Sequence, residues 1–310
     1  MTFRRHGLMP LAAAALFATA FAPTPAKAQL FTWTKDQMVD YTKAWTGDRF
    51  DDGRPKVPDA WIARAKDMSS EEGIIPGGRG GGQGYSQYDG DFKVLHPELK
   101  MAGRVVTVSF MPPRADLDAV VNAKAREKNI SLGQQYVIDM LQPGDVLVVD
   151  LFGKKENAGI VGDNLFYYIN KVTKGGGLVL EGSFRDLDGI AAIGMPCYYR
   201  DVHPSYLNAA SAVVASINVP IRIGEVTVMP GDLAVGDREG INFIPPQNAL
   251  QILDAADTTH IHDEWTKTMF DTGKYKSTEI YSSPRDPALR QQYQDYLKKR
   301  LDEIHAQQPK

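Results

Sequence analysis

Cysteine is almost missing from this chain: Cys197 stands alone among 310 residues. No intrachain disulfide can form, so stability has to come from packing. Beside Pro196, that thiol is expected to be a small buried apolar group rather than a nucleophile. Beyond the amino-terminal segment there is no apolar run of membrane-spanning length. An excess of basic residues is lacking as well, with 35 Lys and Arg against 38 Asp and Glu. That balance argues against non-specific nucleic-acid binding, which needs clustered cations. No fixed-period repeat is found, which argues against solenoids and propellers.

What is present begins with a basic start at Arg4, Arg5 and His6, an apolar run over 8–21, and Ala26-Lys27-Ala28. This is the pattern of a cleaved export signal over 1–28, predicting a periplasmic or secreted product with no membrane attachment. Without Arg4, Arg5 and Lys27 the remainder has 32 basic and 38 acidic residues, a formal charge of −6. Segment 77–84 holds Gly-Gly-Arg-Gly-Gly-Gly-Gln-Gly. It has neither the preceding strand nor the Gly-Lys-Ser/Thr ending of a phosphate loop, and reads as a mobile surface loop.

From Gly103 onward, strand and helix patterns alternate. Strands are expected over 104–110, 146–150, 178–182, 195–199, 221–228, 232–235 and 241–244. Asp59 is expected to cap a helix running to about Met68, and further helices are expected over 116–128, 162–174 and 287–305. Leu165, Tyr168, Ile169 and Val172 would share the buried face of the 162–174 helix. The pattern indicates a layered α/β domain over 95–255, an N-terminal appendage over 29–94 and a C-terminal helical extension over 256–310.

One constellation carries chemistry. A strand ending at Asp150 leads to Gly162, Asp163, Asn164 and Leu165, which open a helix; the next strand ends at Arg185-Asp186. If those strands are neighbours, their carboxyl ends share one rim, where ligands collect in such folds. The helix start suits a carboxylate or enolate, and Arg185 can grip a carboxylate through a two-pronged fork. Asp186 offers a hard oxygen to Mg²⁺ or Mn²⁺, ions that keep several waters. The plainer alternative is a surface turn with an ion pair and a helix-capping Asp163.

The ordered stretches Gly103-Arg104 through Val108, Gly144-Asp145 through Asp150, Ala158-Gly159 through Leu165, Gly177 through Asp186, Pro230-Gly231-Asp232 and Gly236-Asp237 through Gly240 resemble the RraA-like family. That family includes the regulator of ribonuclease E activity and the class II 4-hydroxy-4-methyl-2-oxoglutarate aldolases. Many members are labelled demethylmenaquinone methyltransferase, which these motifs do not support. The resemblance implies a swivelling β/β/α layered fold and a homotrimer with sites at subunit boundaries. It implies that the turn from Gly162 through Asp163 and Asn164 to Leu165 binds the substrate carboxylate. Arg185 grips the substrate, Asp186 ligates Mg²⁺ or Mn²⁺, and Asp163 holds the metal's water. The implied reaction is retro-aldol cleavage or decarboxylation of a small 2-oxo acid through a pyruvate enolate. A non-catalytic regulatory protein, or other lyase or hydrolase chemistry on an oxidised sugar or aromatic-derived acid, is the alternative. The chain departs from the family pattern by one extra residue near Gly175-Gly176-Gly177, by Asp201 after Arg200, and by its export signal.

Other candidates are weaker. His260 and His262 lie two apart, a spacing that does not share a helical face, and read as a polar turn. His203 is a possible proton donor, Asp188 and Asp201 are spare carboxylates, and Arg54 and Lys56 lie on a rigid Pro-bounded loop.

Overall fold

The computed structural model describes residues 32–78, 87–127, 133–208 and 210–307. The export segment expected over 1–28 and most of the glycine loop expected over 77–84 lie outside these residues. The N-terminal segment forms three short helices, α1 (Lys35–Tyr41), α2 (Asp59–Ala65) and α3 (Ser70–Gly78). Thr34 and Gln37 close α1 with a reciprocal capping box. Asp59 does not cap α2: Pro58 occupies the cap, and Asp59 instead meets Arg104 at 2.6 Å.

Two short strands, β1 (Tyr88–Asp89) and β2 (Lys93–Val94), precede the long β3 (Met101–Met111). There follow α4 (Ala115–Glu127), α5 (Gln134–Asp139), β4 (Asp145–Lys154), α6 (Asp163–Thr173), β5 (Gly177–Phe184), α7 (Leu187–Ala191) and β6 (Cys197–Val202). The chain continues through β7 (Val213–Ile217), the hairpin β8 (Ile221–Ile223) and β9 (Val226–Val228), then β10 (Leu233–Asp237) and β11 (Gly240–Ile244). It ends in helices α8 (Pro246–Asp271), α9 (Ser277–Ile280) and α10 (Pro287–Gln307). Among the described residues, no helix is long and apolar enough to cross a membrane.

The main sheet runs β1-β11-β10-β3-β4-β5-β6-β2, with β7 paired to the far half of β3. Strands β3 to β6 are parallel, and the flanking pairs are antiparallel. Alternation along β4 and β5 sends Leu147, Val149, Leu178 and Leu180 to one face, against Ile138, Phe166, Ile169 and Ile190 from the helices. Val146, Val148 and Val179 face the other way, against Ile223 and Val228 of the hairpin. The result is hairpin, sheet and helices in three layers, the expected β/β/α order. Leu233, Val235 and Ile244 pack with α2 and the first half of α8. The far end of α8, with α9 and α10, builds a separate cluster around Trp265, Ile280 and Leu289.

Two expectations change here. The buried face of α6 is Phe166, Ile169 and Thr173, with Tyr168 exposed; the true stripe is offset from the one read off the sequence. His260 and His262 lie inside α8 rather than in a turn. His260 meets Glu72 at 2.8 Å, while the His262 ring nitrogen lies 2.8 Å from the Tyr281 carbonyl. Their rings do not converge, as the two-residue spacing requires. Cys197 is fully buried, and burial pushes its thiol well above the ordinary range.

Two copies of one turn flank β3. In Gln142-Pro143-Gly144-Asp145 and Met229-Pro230-Gly231-Asp232 the glycines take φ of +82° and +87°, which a side chain would resist. In each, the aspartate N–H donates to the first residue's carbonyl, and its carboxylate accepts that residue's N–H, at 2.9 Å and 2.8 Å. Their charges are handled differently. Arg54 donates to Asp145 through both terminal nitrogens, at 3.0 Å and 3.3 Å. Asp232 is buried with no basic group among its hydrogen-bond partners, and burial pushes it up to about 7.

A sign follows. A carboxyl group raised in the folded state contributes stability below its unfolded pKa of about 4, and that contribution is lost as pH rises through about 7. Asp232→Asn keeps the acceptor and removes the titration. Urea unfolding across this window should show the parent losing up to about 4 kcal/mol relative to the variant. A pH-independent difference would refute the assignment.

Candidate active site

The site is built by one crossover. β4 and β5 are parallel neighbours, in register from Val146 opposite Gly177 to Asp150 opposite Glu181, so the loops leaving their carboxyl ends share a rim. Gly162 is the extended N-cap of α6, with Asp163 as the first helical residue. First-turn N–H groups have no partner inside a helix; that of Asn164 is taken by Asp163 Oδ1 at 2.7 Å. Leu165 is half-buried and packs on the helix-side core. At the other end of α6, Lys174 turns left-handed with φ +56°, and Gly175 follows at +81°. A Cβ on Gly176 would overlap the Asp145 carbonyl. Gly175, Gly176 and Gly177 thus make their turn at the amino end of β5, away from the rim.

Arg185 leaves β5 with its N–H on the Val161 carbonyl at 3.1 Å and Nη1 on the Gly159 carbonyl at 2.9 Å. Gly159 also exchanges backbone bonds with the 205–207 strap, receiving from Leu207 and donating to Ser205. A side chain at Gly159 would collide with the Ser205 carbonyl and crowd the Arg185 stem. The strap is supported in turn by His203, whose Nδ1 lies 2.6 Å from Ser205 Oγ. Gly159 lies in a stretch legible in the sequence; Ser205 and Leu207 carried no signal there.

Asp186 is left-handed, φ +63° and ψ +43°, a conformation that aspartate tolerates better than most residues. It is the N-cap of α7, yet its carboxylate makes no capping bond. The carboxylate meets Arg185 Nε at 3.3 Å and remains 45% exposed, with Arg185 29% exposed. A Cβ on Gly162 would overlap Asp186 Oδ2 and fall 2.9 Å from Arg185 Nη2. Asp163 lies against Gly189 of α7, where an added Cβ would come within 2.9 Å of its own. Gly162, Asp163, Arg185 and Asp186 therefore converge on one open rim.

The other candidate residues are otherwise engaged. Asp201 is paired with Lys93 at 3.1 Å and Lys155 at 3.3 Å. The Val202 N–H and those lysines hold it down to about 2. Arg200 is held by Asp89 at 2.9 Å and Glu181 at 2.8 Å, over the Phe92 ring. Asp188 is exposed on α7. Arg54 is buried on Asp145, at the opposite ends of the parallel strands from Arg185.

The profile of the RraA-like family (Aldolase/RraA) matches residues 77–242. The chain belongs to the RraA-like family. A Halalkalibacterium halodurans protein provisionally named a 4-hydroxy-4-methyl-2-oxoglutarate aldolase is 34% identical over 122 residues, 39% of this chain and 56% of that protein. The chain thus spans just over half of that relative's length. An Ectopseudomonas mendocina protein with the same provisional name is 33% identical over 130 residues, 41% of this chain and 75% of the relative. Among solved structures, Streptomyces coelicolor RraAS2, described as an unusual member of the RNase ES inhibitor RraA family, shares 25% identity. It aligns with TM-score 0.54 over 72% of this chain and 98% of its own. A Pseudomonas syringae protein at 18% identity and TM-score 0.57 shares the fold. RraA-like relatives thus include proteins named as lyases and proteins described as ribonuclease inhibitors.

The close approach at Gly162 yields a direct expectation. Gly162→Ala should lower any activity of this rim by about 10²-fold or more, because the methyl pushes Asp186 and Arg185 apart. Unchanged kinetics in the purified variant would separate the turn from the site.

Proposed function

We propose that this RraA-like protein is a divalent-metal-dependent carbon–carbon lyase acting on a small 2-oxo acid. The observation that carries the reading is the convergence at Gly162 of the exposed, non-capping Asp186 carboxylate with Arg185, whose Nη1 donates to the Gly159 carbonyl, whose backbone N–H donates to the Val161 carbonyl and whose Nε meets Asp186. The donor chemistry fits Mg²⁺ or Mn²⁺. Among the described residues no group of three or more His, Cys, Asp or Glu forms a cage, and one exposed carboxylate suits an ion that keeps its waters. Asp186 would hold it, and the ion would supply Lewis-acid polarisation of the 2-oxo group.

This chain's own residues supply the rest. Arg185, with Nη1 anchored on Gly159, presents Nη2 to the substrate carboxylate, and the first turn of α6 adds N–H groups and its positive dipole end. Asp163, at that same turn, is placed to hold a water that takes up the 4-hydroxyl proton. As the C3–C4 bond breaks, its electron pair passes into the pyruvate enolate, and a proton returned to C3 gives pyruvate. Decarboxylation of oxaloacetate would pass through the same enolate. The homotrimer and the export expected from the sequence belong to this proposal.

The deciding measurement is pyruvate release from oxaloacetate or 4-hydroxy-4-methyl-2-oxoglutarate by purified protein. It should need Mg²⁺ or Mn²⁺, fall to background in chelator and return when the metal is restored. A full rate in chelator rejects the mechanism. The RraAS2 likeness supports a second reading, an RraA-like interaction protein; inert protein that retains a specific partner in pull-down would favour it.

A further inference from the structure

The loop that carries Gly159 is clamped twice by one residue of the 205–207 strap. Asn157 turns the loop left-handed, φ +52°, and its N–H donates to Ser205 Oγ at 2.8 Å. Two residues on, the Gly159 N–H donates to the Ser205 carbonyl at 3.1 Å. Ser205 thus takes alternate N–H groups of the loop, one on its side chain and one on its main chain. The Gly159 carbonyl in turn receives the Leu207 N–H at 3.2 Å and Arg185 Nη1 at 2.9 Å.

Ser205 is itself fixed. Its N–H donates to His203 Nδ1 at 3.2 Å, so that nitrogen is an acceptor and the network assigns the ring proton to Nε2. The hydroxyl lies 2.6 Å from the same nitrogen, which turns its proton toward the ring and leaves a lone pair for Asn157. His203 is tied to β5 by its own N–H on the Phe184 carbonyl at 3.0 Å, one residue before Arg185. The hydrogen bonds therefore form a closed circuit that leaves β5 at Phe184 and returns to it at Arg185, through His203, Ser205 and Gly159. An arginine has several rotatable bonds, and a two-pronged grip works only when the fork is held in place.

We propose that Ser205 is a positioning residue for Arg185. Its hydroxyl sets the 157–159 turn, the turn sets the Gly159 carbonyl, and that carbonyl aims the guanidinium at the substrate carboxylate. This rests on the lyase reading for what Arg185 grips, though not for how Arg185 is held.

Two variants of the full mature protein test it. Ser205→Ala removes the hydroxyl beside the exposed Asn157, where water can take the freed N–H, so the melting temperature should stay near the parent's. Pyruvate release from oxaloacetate with Mg²⁺ should show KM raised about tenfold and kcat within about twofold, the pattern of a weakened grip that substrate and transition state share. Ser205→Thr keeps the hydroxyl and should restore KM. A second readout needs no turnover. Phenylglyoxal labels guanidinium groups, and peptide mass spectrometry locates the label. Arg185 should react faster in Ser205→Ala than in the parent or Ser205→Thr, by about threefold or more. The exposed Arg222 should react alike in all three. Equal labelling of Arg185 in the parent and Ser205→Ala overturns the proposal, whether or not the parent turns over. So does a fall in melting temperature that accounts for the lost activity and that Ser205→Thr does not rescue. A parent that releases no pyruvate sinks the lyase reading, and the labelling rates then decide whether Ser205 holds Arg185.

Discussion

Asp186→Asn should lower metal-dependent pyruvate release by about 10²–10³-fold or more while leaving the melting temperature unchanged. Asparagine is chosen because position 186 is left-handed. Alanine there would add about 1 kcal/mol of backbone strain and confuse folding with chemistry. Asparagine tolerates the turn, fills the same space and keeps one oxygen, but has no charge to hold a divalent ion. The carboxylate caps nothing and, among the described residues, its ion pair is with Arg185 at an exposed rim, so its structural worth is small. A variant as active as the parent would remove Asp186 from the metal site. A variant that is inactive and also unfolds at lower temperature would make the residue structural.

Arg54→Ala should be strongly destabilising, costing about 3 kcal/mol. It leaves Asp145 fully buried, with only the more distant Arg104 Nε at 3.9 Å to offset its charge. It also frees the segment that Arg54 ties to the Val105 carbonyl. Urea unfolding should show the midpoint falling sharply, and proteolysis should open the chain before residue 77. A loss below about 1 kcal/mol would mean that Arg104 and the Gln142 N–H already satisfy Asp145.

Legibility in the sequence tracked contact distance. The Gly162 turn and Arg185-Asp186 are joined by one helix and one strand, so a period of 3.6 followed by an apolar run was enough to set them on neighbouring carboxyl ends. The α/β core was readable for the same reason. The face of α6 was not: Phe166 and Tyr168 are both large aromatics, and the helix buries Phe166 with Ile169 and Thr173 while Tyr168 stays exposed. Strand β7 was missed because Val213–Ile217 is short and its pairing to β3 reaches back about a hundred residues. Arg54 on Asp145, and His260 on Glu72, join segments far apart in sequence and leave no periodic trace. Export was read from the basic and apolar amino-terminal pattern, the metal and the roles of Arg185 and Asp186 from strand-end chemistry together with resemblance, and the trimer from resemblance alone.

The opposite placement of the Arg54–Asp145 pair and the Arg185–Asp186 pair has one more consequence. Groups well separated in a rigid sheet contribute additively, so this protein has two independently adjustable ends. Arg54→Ala should move the unfolding midpoint without altering turnover. Changes on the far rim should alter turnover without moving the midpoint. Durability and chemistry can then be tuned separately, with the parallel strands acting as the insulator between them.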